Sequence, residues 1–510
     1  MKLFYKNQSL YLSFVSGVFT AVVTMNMWYV LACISIAPLF IFVFKESKKA
    51  SFFCGLAFGV GLGLGLFFWM IKGVGHYTGV SFWFGFLVFV VSCLLLGLYF
   101  GILLFITRFF WFSNSNLCFK ILLNAVAIAA LWTLLELGLT TVMASFPLHL
   151  FRLGFSFCAN IYLLQLTSFG GLSVLTFFTV LINILFAVFF IQKNTVYLIY
   201  NAVIFVFFLV FGAVTYCNYQ PIFIKKPFKV VLVSDNTSPE TKWNSDNGNA
   251  LAANYFELCH SAVALRPDFI VWPESALPWT YAPDDDLLKA LLKISSGSKL
   301  TQVIGINTEN PIDKRNYNSV YYIGNNAKVT AVYNKQILLK GIEKPIGDLL
   351  VPFASKEGFV FANGVAQDPI ATRFGKVATL VCNEIVVESS AAVQVRAGAN
   401  FLFNVSNDGW FRGTYVSKHH LYYARLMAVE NRKDCSIANN CGFNAIINSY
   451  GDVVEQKKDT IGTVVSGMLF PNSNRTLFSR FPNLFPIILA AFFILVSFYL
   501  FAKIHKTTIE

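Results

Sequence analysis

The stretch Ala378–Ile385, ATLVCNEI, begins as an apolar β-type run, reaches a cysteine at Cys382 and places Glu384 two residues later. Continuous apolar strands of this kind are typical of sheets that are covered on both faces, as in α/β folds. In such folds, functional groups gather where strands end and loops begin. Cys382 is therefore either a small core residue that ends a strand or a nucleophile presented there.

The same pattern of apolar strands and intervening helices extends over residues 228–470, which predicts one large α/β domain. Residues 217–228 and 471–484 have the composition of linkers. The predicted strands are 229–234, 268–272, 302–306, 318–323, 329–333, 376–382 and 400–405, and the predicted helices are 248–265, 284–294 and 417–432.

The composition of the whole chain is that of a membrane protein, because 56% of its 510 residues are hydrophobic and only 13% are charged. Only two of the 26 acidic residues, Glu46 and Glu136, lie in the first 220 residues. That half contains seven apolar runs long enough to cross a bilayer, and an eighth run, 485–502, follows the α/β region. The predicted spans are 10–25, 27–44, 51–71, 80–107, 119–144, 160–192, 197–216 and 485–502.

These runs divide the chain into a membrane domain (1–216), a water-soluble domain with its linkers (217–484), an eighth transmembrane helix (485–502) and a tail (503–510). Lysines and arginines cluster in alternate loops, beginning with Lys2 and Lys6. By the positive-inside rule, both termini then lie in the cytoplasm and the soluble domain lies outside. For a bacterial inner membrane, that side is the periplasm.

The net charge of +13 is dispersed among these loops. It therefore indicates membrane topology and attraction to anionic lipid, and we expect no nucleic-acid partner. The ten cysteines contain no CxxC pair. Cys435 and Cys441 could pair, but the sequence does not decide whether they form a disulfide. The adjacent histidines His419 and His420 lack metal-ligand spacing, so we predict no metal site and no cofactor.

Two further strand ends carry chemically active groups. DFIVWPESALP places Glu274 just after one apolar run, and VTAVYNKQI places Lys335 just after another. Each residue alone is more often an ordinary surface or core residue. Together with Cys382 they supply a base, a cation and a thiol, which are the parts needed for acyl transfer.

A thiol reacts as its thiolate, so it needs a base or a positive field. Glu274 can take the thiol proton, while Lys335 can lower the pKa of the thiol and stabilise the oxyanion of a tetrahedral intermediate. No histidine is near these positions in the sequence, which excludes the usual Ser-His-Asp arrangement.

This ordered Glu–Lys–Cys set resembles the nitrilase superfamily, and its membrane frame narrows the resemblance to the apolipoprotein N-acyltransferases. The resemblance covers essentially the whole chain and implies an αββα sandwich for the soluble domain. It rests on WPESALP (272–278), YNK (333–335), VCNEI (381–385), NVSNDGWF (404–411) and ARLMAVENR (424–432). NNCGFNAIINSYG (439–451) resembles a further family segment.

The resemblance implies that Glu274 is the general base, Lys335 the stabiliser of the intermediate and Cys382 the acylated nucleophile. Glu343 and Glu384 match supporting acidic residues of the family. The implied reaction moves an acyl chain from a phospholipid onto Cys382 and then to the amino group of a lipoprotein's N-terminal diacylglyceryl-cysteine. The partners are then the phospholipid donor, the apolipoprotein acceptor and the membrane, and we expect a monomer.

Three departures from the family pattern concern substrate details more than the chemistry. The segment 336–342 has lost the family's His and Pro-Phe-Gly residues, and Asn383 stands where an aromatic residue is usual. Glu136 lies four residues after Trp132, as in the family, but the arginine expected three residues later is Leu139. A carboxylate inside a membrane span is costly, which makes Glu136 a candidate functional residue at a lipid portal.

The segment 404–416 carries Trp410 and Phe411 between two glycines, so it is either a mobile lid that contacts lipid or a buried aromatic turn. Two other functions remain open. A membrane-anchored amidase would resolve the thioester with water, and a paralogue would use another acyl acceptor. A transporter with a degenerate domain would need rows of charged or polar residues along its spans, whereas the only acidic residue inside the predicted spans is Glu136.

Overall fold

The computed structural model describes the chain except for residues 1, 79–80, 112–117, 147–151, 239–240, 242, 313, 346–359, 459–461 and 508–510. For residues 2–7, 74–78, 410 and 500–507 it describes the backbone only, so Trp410 lies outside the described side chains.

The first half of the chain is helical. Six helices among the described residues are long and apolar enough to cross a membrane, namely Gln8–Asn26, Lys48–Leu66, Phe82–Phe110, Cys118–Val142, Leu172–Gln192 and Val196–Asn218. The elements of this half are α1 (Lys2–Asn26), α2 (Tyr29–Ala32), α3 (Ala37–Val43), α4 (Lys48–Leu66), α5 (Trp69–Thr78), α6 (Phe82–Phe110), α7 (Cys118–Val142), α8 (Ile161–Leu164), α9 (Thr167–Gly170), α10 (Leu172–Gln192) and α11 (Val196–Asn218).

The predicted second span, 27–44, is not one continuous helix, because it breaks between α2 and α3. The buried side chain of Asn183 in α10 supplies hydrogen-bond partners to the backbone groups at this break. Its Oδ1 accepts from the backbone N–H groups of Ile36 (3.0 Å) and Ala37 (2.9 Å), and its Nδ2 donates to the carbonyl of Ala32 at 2.8 Å. A bilayer interior offers no water to these groups, so a polar side chain must supply the partners.

The predicted span 160–192 is also interrupted. It consists of α8, α9 and α10, and Gly171 separates the last two with a φ of +65°. A left-handed backbone of this kind favours glycine, which has no Cβ. The C-terminal apolar run lies in a helix, Leu484–Thr507, of which the described part Leu484–Tyr499 is short. The structure therefore supports about six spans.

The second half contains two β-sheets. One has the strand order β14-β1-β2-β4-β6-β7, with β3 and β5 paired to β4, and the other has the order β13-β12-β11-β10-β9-β8. Their strands are β1 (Phe228–Ser234), β2 (Phe269–Val271), β3 (Leu277–Thr280), β4 (Thr301–Glu309), β5 (Asn316–Tyr317), β6 (Ser319–Gly324), β7 (Val329–Asn334), β8 (Ile370–Thr372), β9 (Gly375–Val381), β10 (Phe401–Asn407), β11 (Cys435–Asn440), β12 (Phe443–Ile447), β13 (Val453–Lys458) and β14 (Thr463–Leu469).

The two sheets pack face to face through an aromatic core, in which the ring of Phe228 lies 4.8 Å from that of Phe401 and the ring of Phe269 lies 5.4 Å from that of Phe403. Helices cover the outer faces, which gives the αββα layering that the resemblance implies. The helices of this half are α12 (Gly248–Ala264), α13 (Asp286–Ile294), α14 (Glu388–Arg396), α15 (Val416–Asn431), α16 (Leu477–Arg480) and α17 (Leu484–Thr507).

The layer formed by α14 and α15 lies between the second sheet and the membrane helices. One continuous cluster of buried apolar residues joins this layer to the membrane half. At its centre the ring of Phe155 stacks on Tyr423 at 4.1 Å. The Tyr415 hydroxyl donates to the carbonyl of Leu66 at 2.6 Å, and His419 Nε2 lies 3.1 Å from the carbonyl of Thr24. The α/β domain is therefore docked directly on the membrane helices.

Candidate active site

Cys382 lies at the point where β9 ends and a 3-10 turn, Cys382–Val386, begins. Its backbone has a φ of +52°, a left-handed conformation that costs a non-glycine residue free energy. The side chain is buried, with 8% of the residue exposed. Strained, buried residues at strand ends are concentrated at functional sites, and this geometry fits a nucleophile better than a passive core residue.

Lys335 follows β7 and forms the centre of a buried charged group. Its Nζ lies 3.2 Å from Glu274 Oε1 and 2.9 Å from Glu343 Oε1. The structure therefore brings together three of the residues that the sequence singled out. A buried ammonium that is paired with carboxylates on two sides recovers part of the free energy that removing its charge from water costs.

Asn318 is the residue of this group that sequence reasoning missed. Its Nδ2 donates to Glu274 Oε1 at 2.8 Å and to Glu343 Oε1 at 3.0 Å, so it bridges the two carboxylates. Glu343 also accepts from the backbone N–H of Leu339 through Oε2, at 2.8 Å. The two glutamates therefore differ in their surroundings, because Glu343 is fixed by the loop that follows Lys335.

Glu384 joins the turn of Cys382 to the loop of Lys335. Its Oε1 accepts from the backbone N–H groups of Gln336 (2.7 Å) and Ile337 (3.0 Å). Its Oε2 accepts from the N–H of Val381 (2.8 Å) and from the hydroxyl of Tyr333 (3.0 Å). Burial raises the pKa of Glu384, and these backbone donors oppose that rise. The supporting acid expected from the sequence is thus a structural clamp.

Electrostatics make Cys382 a thiol rather than a thiolate at rest. Burial raises the pKa of the thiol well above its usual value, the charge of Glu274 raises it further, and the charge of Lys335 lowers it. Burial opposes a charge on Lys335, but the carboxylates of Glu274 and Glu343 hold the pKa of its ammonium well above the usual value. The nucleophile therefore needs a base to take its proton, and the cation stays charged.

A buried Asp408–His420 pair lies near enough to Cys382 to affect it electrostatically. His420 Nδ1 is 2.7 Å from Asp408 Oδ1, and Asn439 donates to Asp408 Oδ2 at 2.7 Å. The charge of Asp408 also raises the pKa of Cys382. Sequence spacing gave no sign of this pair, although its aspartate lies in the quoted NDGWF motif.

Phe411 of the predicted lid packs edge-on against Trp69 of α5, with 5.0 Å between the ring centroids. The centroid of the Phe411 ring also lies 6.0 Å from that of His420. The segment is thus anchored to the membrane half, and its motion stays a prediction.

In the divergent 336–342 segment, the backbone N–H of Lys340 donates to the carbonyl of Ser145 at 2.7 Å, and the ammonium of Lys340 lies over the ring of Phe146. Asn383 donates to the carbonyl of Ile337 at 3.2 Å.

A cavity of about 380 Å³ adjoins the site. Ile337 and Val386, which flank the catalytic cluster in sequence, form part of its wall, and Thr141 of α7 and Pro486 of α17 form part of its membrane side. Arg152 and Glu388 line it as well. A cavity of this size with mixed polar and apolar walls is suited to part of an amphiphilic molecule.

Comparison with known proteins accounts for both halves. Residues 16–185 match the family described as the apolipoprotein N-acyltransferase N-terminal domain, and residues 238–465 match the carbon-nitrogen hydrolase family. The apolipoprotein N-acyltransferase of Geobacter metallireducens is 26% identical over 471 residues, which cover 89% of this chain and 88% of that protein. Both halves of the chain are therefore similar to apolipoprotein N-acyltransferases.

The protein is accordingly an acyltransferase with a carbon-nitrogen hydrolase domain. The apolipoprotein N-acyltransferase of Wigglesworthia glossinidia brevipalpis is 22% identical, with 88% of this chain and 89% of that protein covered. Among solved structures, Saccharomyces cerevisiae Nit3, a member of branch 10 of the nitrilase superfamily, matches 50% of this chain and 93% of its own, with 16% identity and a TM-score of 0.39.

Proposed function

We propose that this acyltransferase moves a fatty acyl chain from a phospholipid to the α-amino group of an apolipoprotein's N-terminal diacylglyceryl-cysteine, through a thioester on Cys382. The observation that carries the mechanism is the buried Glu274–Lys335–Glu343 group beside a strained thiol whose pKa is raised. Such a site holds a base, a fixed cation and a nucleophile without a metal in any of these roles.

In the first half-reaction, Glu274 takes the thiol proton while Sγ attacks the ester carbonyl of the phospholipid. The ammonium of Lys335 stabilises the oxyanion of the tetrahedral intermediate; removing a stabilising donor of this kind raises a barrier by about 3–4 kcal/mol. The ester C–O bond then breaks, Glu274 returns the proton to the leaving alkoxide, and a lysophospholipid departs. The acyl chain remains on Cys382 as a thioester.

In the second half-reaction, the acceptor's amine attacks the thioester carbonyl and the C–S bond breaks. Glu274 takes a proton from the amine and returns it to the sulfur, which restores the thiol. The cavity of about 380 Å³ supports lipid substrates, because the segments that follow Lys335 and Cys382 form its wall together with membrane helices. A water molecule in place of the amine would make the same site an amidase.

The topology belongs to this proposal. Eight spans, with both termini in the cytoplasm of a bacterial cell and residues 217–484 in the periplasm, would place the site at the outer surface of the inner membrane, where mature lipoproteins are exposed. The docking of α14 and α15 on the membrane helices supports a site at the bilayer surface. We propose that a monomer suffices, since all the groups named above come from one chain.

The test uses purified protein and a phospholipid with a labelled acyl chain. Wild type should acquire a label that neutral hydroxylamine releases, and Cys382→Ser should not. Cys217→Ser is the matched control, because Cys217 is exposed and lies at the end of α11, so this variant should label normally. A wild-type protein without a hydroxylamine-sensitive adduct, or a Cys382→Ser variant that still transfers acyl groups, would refute the mechanism.

A chase separates transfer from hydrolysis. Labelled wild-type enzyme is mixed with a diacylglyceryl-cysteine lipopeptide that has a free amino terminus. Transfer predicts N-acylated lipopeptide as the main labelled product, whereas an amidase would release free fatty acid whether or not the lipopeptide is present.

A further inference from the structure

The boundary between the two halves of the molecule contains a chain of buried ionic contacts that the catalytic cluster does not use. Arg152 lies at its centre, just before a 3-10 turn, Leu153–Ala159. Its Nε donates to Glu136 Oε1 in α7 at 3.3 Å, and its Nη2 donates to Ser173 Oγ in α10 at 3.0 Å. Its Nη1 forms a close ion pair with Glu388 Oε2 in α14. One guanidinium therefore joins two membrane helices to the α/β domain.

The two glutamates are fixed by further bonds. Glu136 accepts from the hydroxyl of Thr176 at 2.7 Å and from the backbone N–H of Leu153 at 3.2 Å. Glu388 accepts from the backbone N–H of Leu172, the first residue of α10, at 2.6 Å. The planar fork of an arginine can hold three partners in fixed directions, which the single ammonium of a lysine cannot do in the same way.

Glu388 is ionised in this setting. Burial opposes its charge, but the charge of Arg152 holds the pKa of Glu388 below its usual value. The neighbouring Glu430 is fully buried, and burial together with the charge of Glu388 raises its pKa well above the usual value. Glu430 is therefore a neutral acid that can donate to Glu388, and the ion pair of Glu388 is left to Arg152.

The position of Glu388 links this ionic contact to the turn that carries Cys382. It is the first residue of α14 and lies six residues after Cys382, at the end of the turn that carries the nucleophile. On the membrane side of this segment, Val386 and Val387 line the cavity of about 380 Å³ and also pack on the apolar cluster that joins the two halves. Arg152 and Glu388 line the same cavity, so their ion pair adds a directional contact to this packing where the nucleophile segment meets the membrane helices.

We propose that Arg152 is a positioning residue for the reaction: by holding Glu388 against Glu136, it fixes the Cys382 turn relative to the membrane helices that bring the phospholipid. The proposal rests on the proposed function, because it concerns the first half-reaction at Cys382. It also explains the departure at Leu139, since the partner of Glu136 is supplied by Arg152 from the following loop instead of from the same helix.

Single variants test the contact. Arg152→Met removes the positive charge that pairs with the buried carboxylates of Glu136 and Glu388, so the melting temperature should fall, because a buried charge without an opposite charge is strongly destabilising. The rate of thioester formation at saturating phospholipid should fall on the order of 10- to 100-fold, which corresponds to about 1.4–2.8 kcal/mol in the barrier. Arg152→Lys should recover part of the rate.

A triple variant, Glu136→Gln/Arg152→Met/Glu388→Gln, separates positioning from stability. It leaves no unpaired charge, so its melting temperature should return toward that of wild type. Its thioester formation should stay slow, because no side chain then connects residue 136 with residue 388. A purely structural role predicts instead that rate and melting temperature recover together.

Arg432→Met is the matched control, since Arg432 is also buried but donates to the carbonyl of Ser449 and stacks on Tyr219, away from the Cys382 turn. It should lose stability without a comparable loss of rate at a temperature where it is folded. Acylation of Arg152→Met at the wild-type rate, or full recovery of rate in the triple variant, would overturn the inference. Absence of the adduct in wild type would instead refute the proposed function.

Discussion

At the scale of single residues, the site separates proton transfer from charge stabilisation. Glu274 and Lys335 act on Cys382 with opposite signs, because the carboxylate favours the thiol and the ammonium favours the thiolate. Burial and Glu274 together outweigh Lys335, so the resting enzyme holds an unreactive thiol. A nucleophile of this kind is protected from alkylating and oxidising molecules until a substrate ester is in place.

Replacing Glu274 by Gln should therefore have opposite effects on two reactions of the same sulfur. Acyl transfer should be lost, because no base remains. Alkylation of Cys382 by iodoacetamide at pH 8 should become several-fold faster, because removing the negative charge lowers the pKa of the thiol and more thiolate is present. The measurement is the alkylation rate from pH 7 to 10, in a Cys217→Ser background that removes the exposed thiol.

Lys335→Met is the opposite arm of this experiment, because it removes the charge that lowers the pKa of Cys382. Its alkylation profile should move to higher pH than that of wild type. Alkylation of Glu274→Gln that is no faster than in wild type at any pH would contradict the electrostatic account of the site.

The residues at strand ends were predictable because local patterns announce them: a reactive group directly after an apolar run. Asn318 was not, since it lies 44 residues from Glu274 and 25 from Glu343, and only the folded sheet brings its amide between them. The Asp408–His420 pair was missed for the same reason. A disulfide between Cys435 and Cys441 does not form, because Cys435 begins β11 and Cys441 follows its last residue, and an extended chain of six residues spans about 20 Å.

At the scale of elements, hydrophobic periodicity located the strands that flank the site. All seven predicted strands are present, and β1, β2, β4, β6, β7, β9 and β10 occupy their positions. The last four strands, β11 to β14, went unpredicted because their sequences mix apolar residues with polar residues or glycine. In the membrane half, hydropathy measured the length of an apolar run but could not show where its helix breaks.

The break between α2 and α3 leads to a prediction about two buried asparagines. Asn183→Leu removes the partners of two backbone N–H groups and one carbonyl, and each unsatisfied group costs about 1–3 kcal/mol. The variant should therefore melt at a clearly lower temperature than wild type, as measured by thermal unfolding in detergent micelles.

Asn201→Leu is the matched control. Asn201 is buried in α11, and within the described part of the chain its side-chain amide has no hydrogen-bond partner. Replacing it with an apolar residue should be neutral or stabilising. Equal losses in the two variants would show that the polar bridge of Asn183 does not hold the broken helix.

At the scale of the whole molecule, the boundary between the halves is a shared hydrophobic core and not a hinge. The cluster that contains Phe155 and Tyr423 runs without interruption from the membrane helices into α14 and α15. Sequence composition divides the chain into an apolar half and a more polar half. It could not show that the two halves bury a common surface, because that surface is assembled from residues far apart in the chain.

Phe155→Ala should weaken this shared core more than it weakens either half. Truncating a buried phenylalanine lowers the free energy of unfolding by about 3–5 kcal/mol. Because Phe155 packs on Tyr423 and His419 across the boundary, we expect calorimetry to resolve two separated transitions where wild type has one.

Phe401→Ala provides the comparison, since Phe401 is equally buried but lies between the two sheets. It should lower the melting temperature while one transition remains. A single, equally shifted transition in both variants would show that the boundary does not control cooperativity.

The helix layer of α14 and α15 has a practical consequence. Because membrane helices cover one side of this layer and the nucleophile's turn leads into α14, we expect the detergent around the protein to affect catalysis through the packing of this layer. A solubilising agent that loosens the helix bundle would slow the enzyme without contacting a catalytic atom. A fragment cut at residue 217 would expose the apolar face of α14 and α15, which favours aggregation. The choice of detergent should therefore change the measured activity of the enzyme through the position of the Cys382 turn.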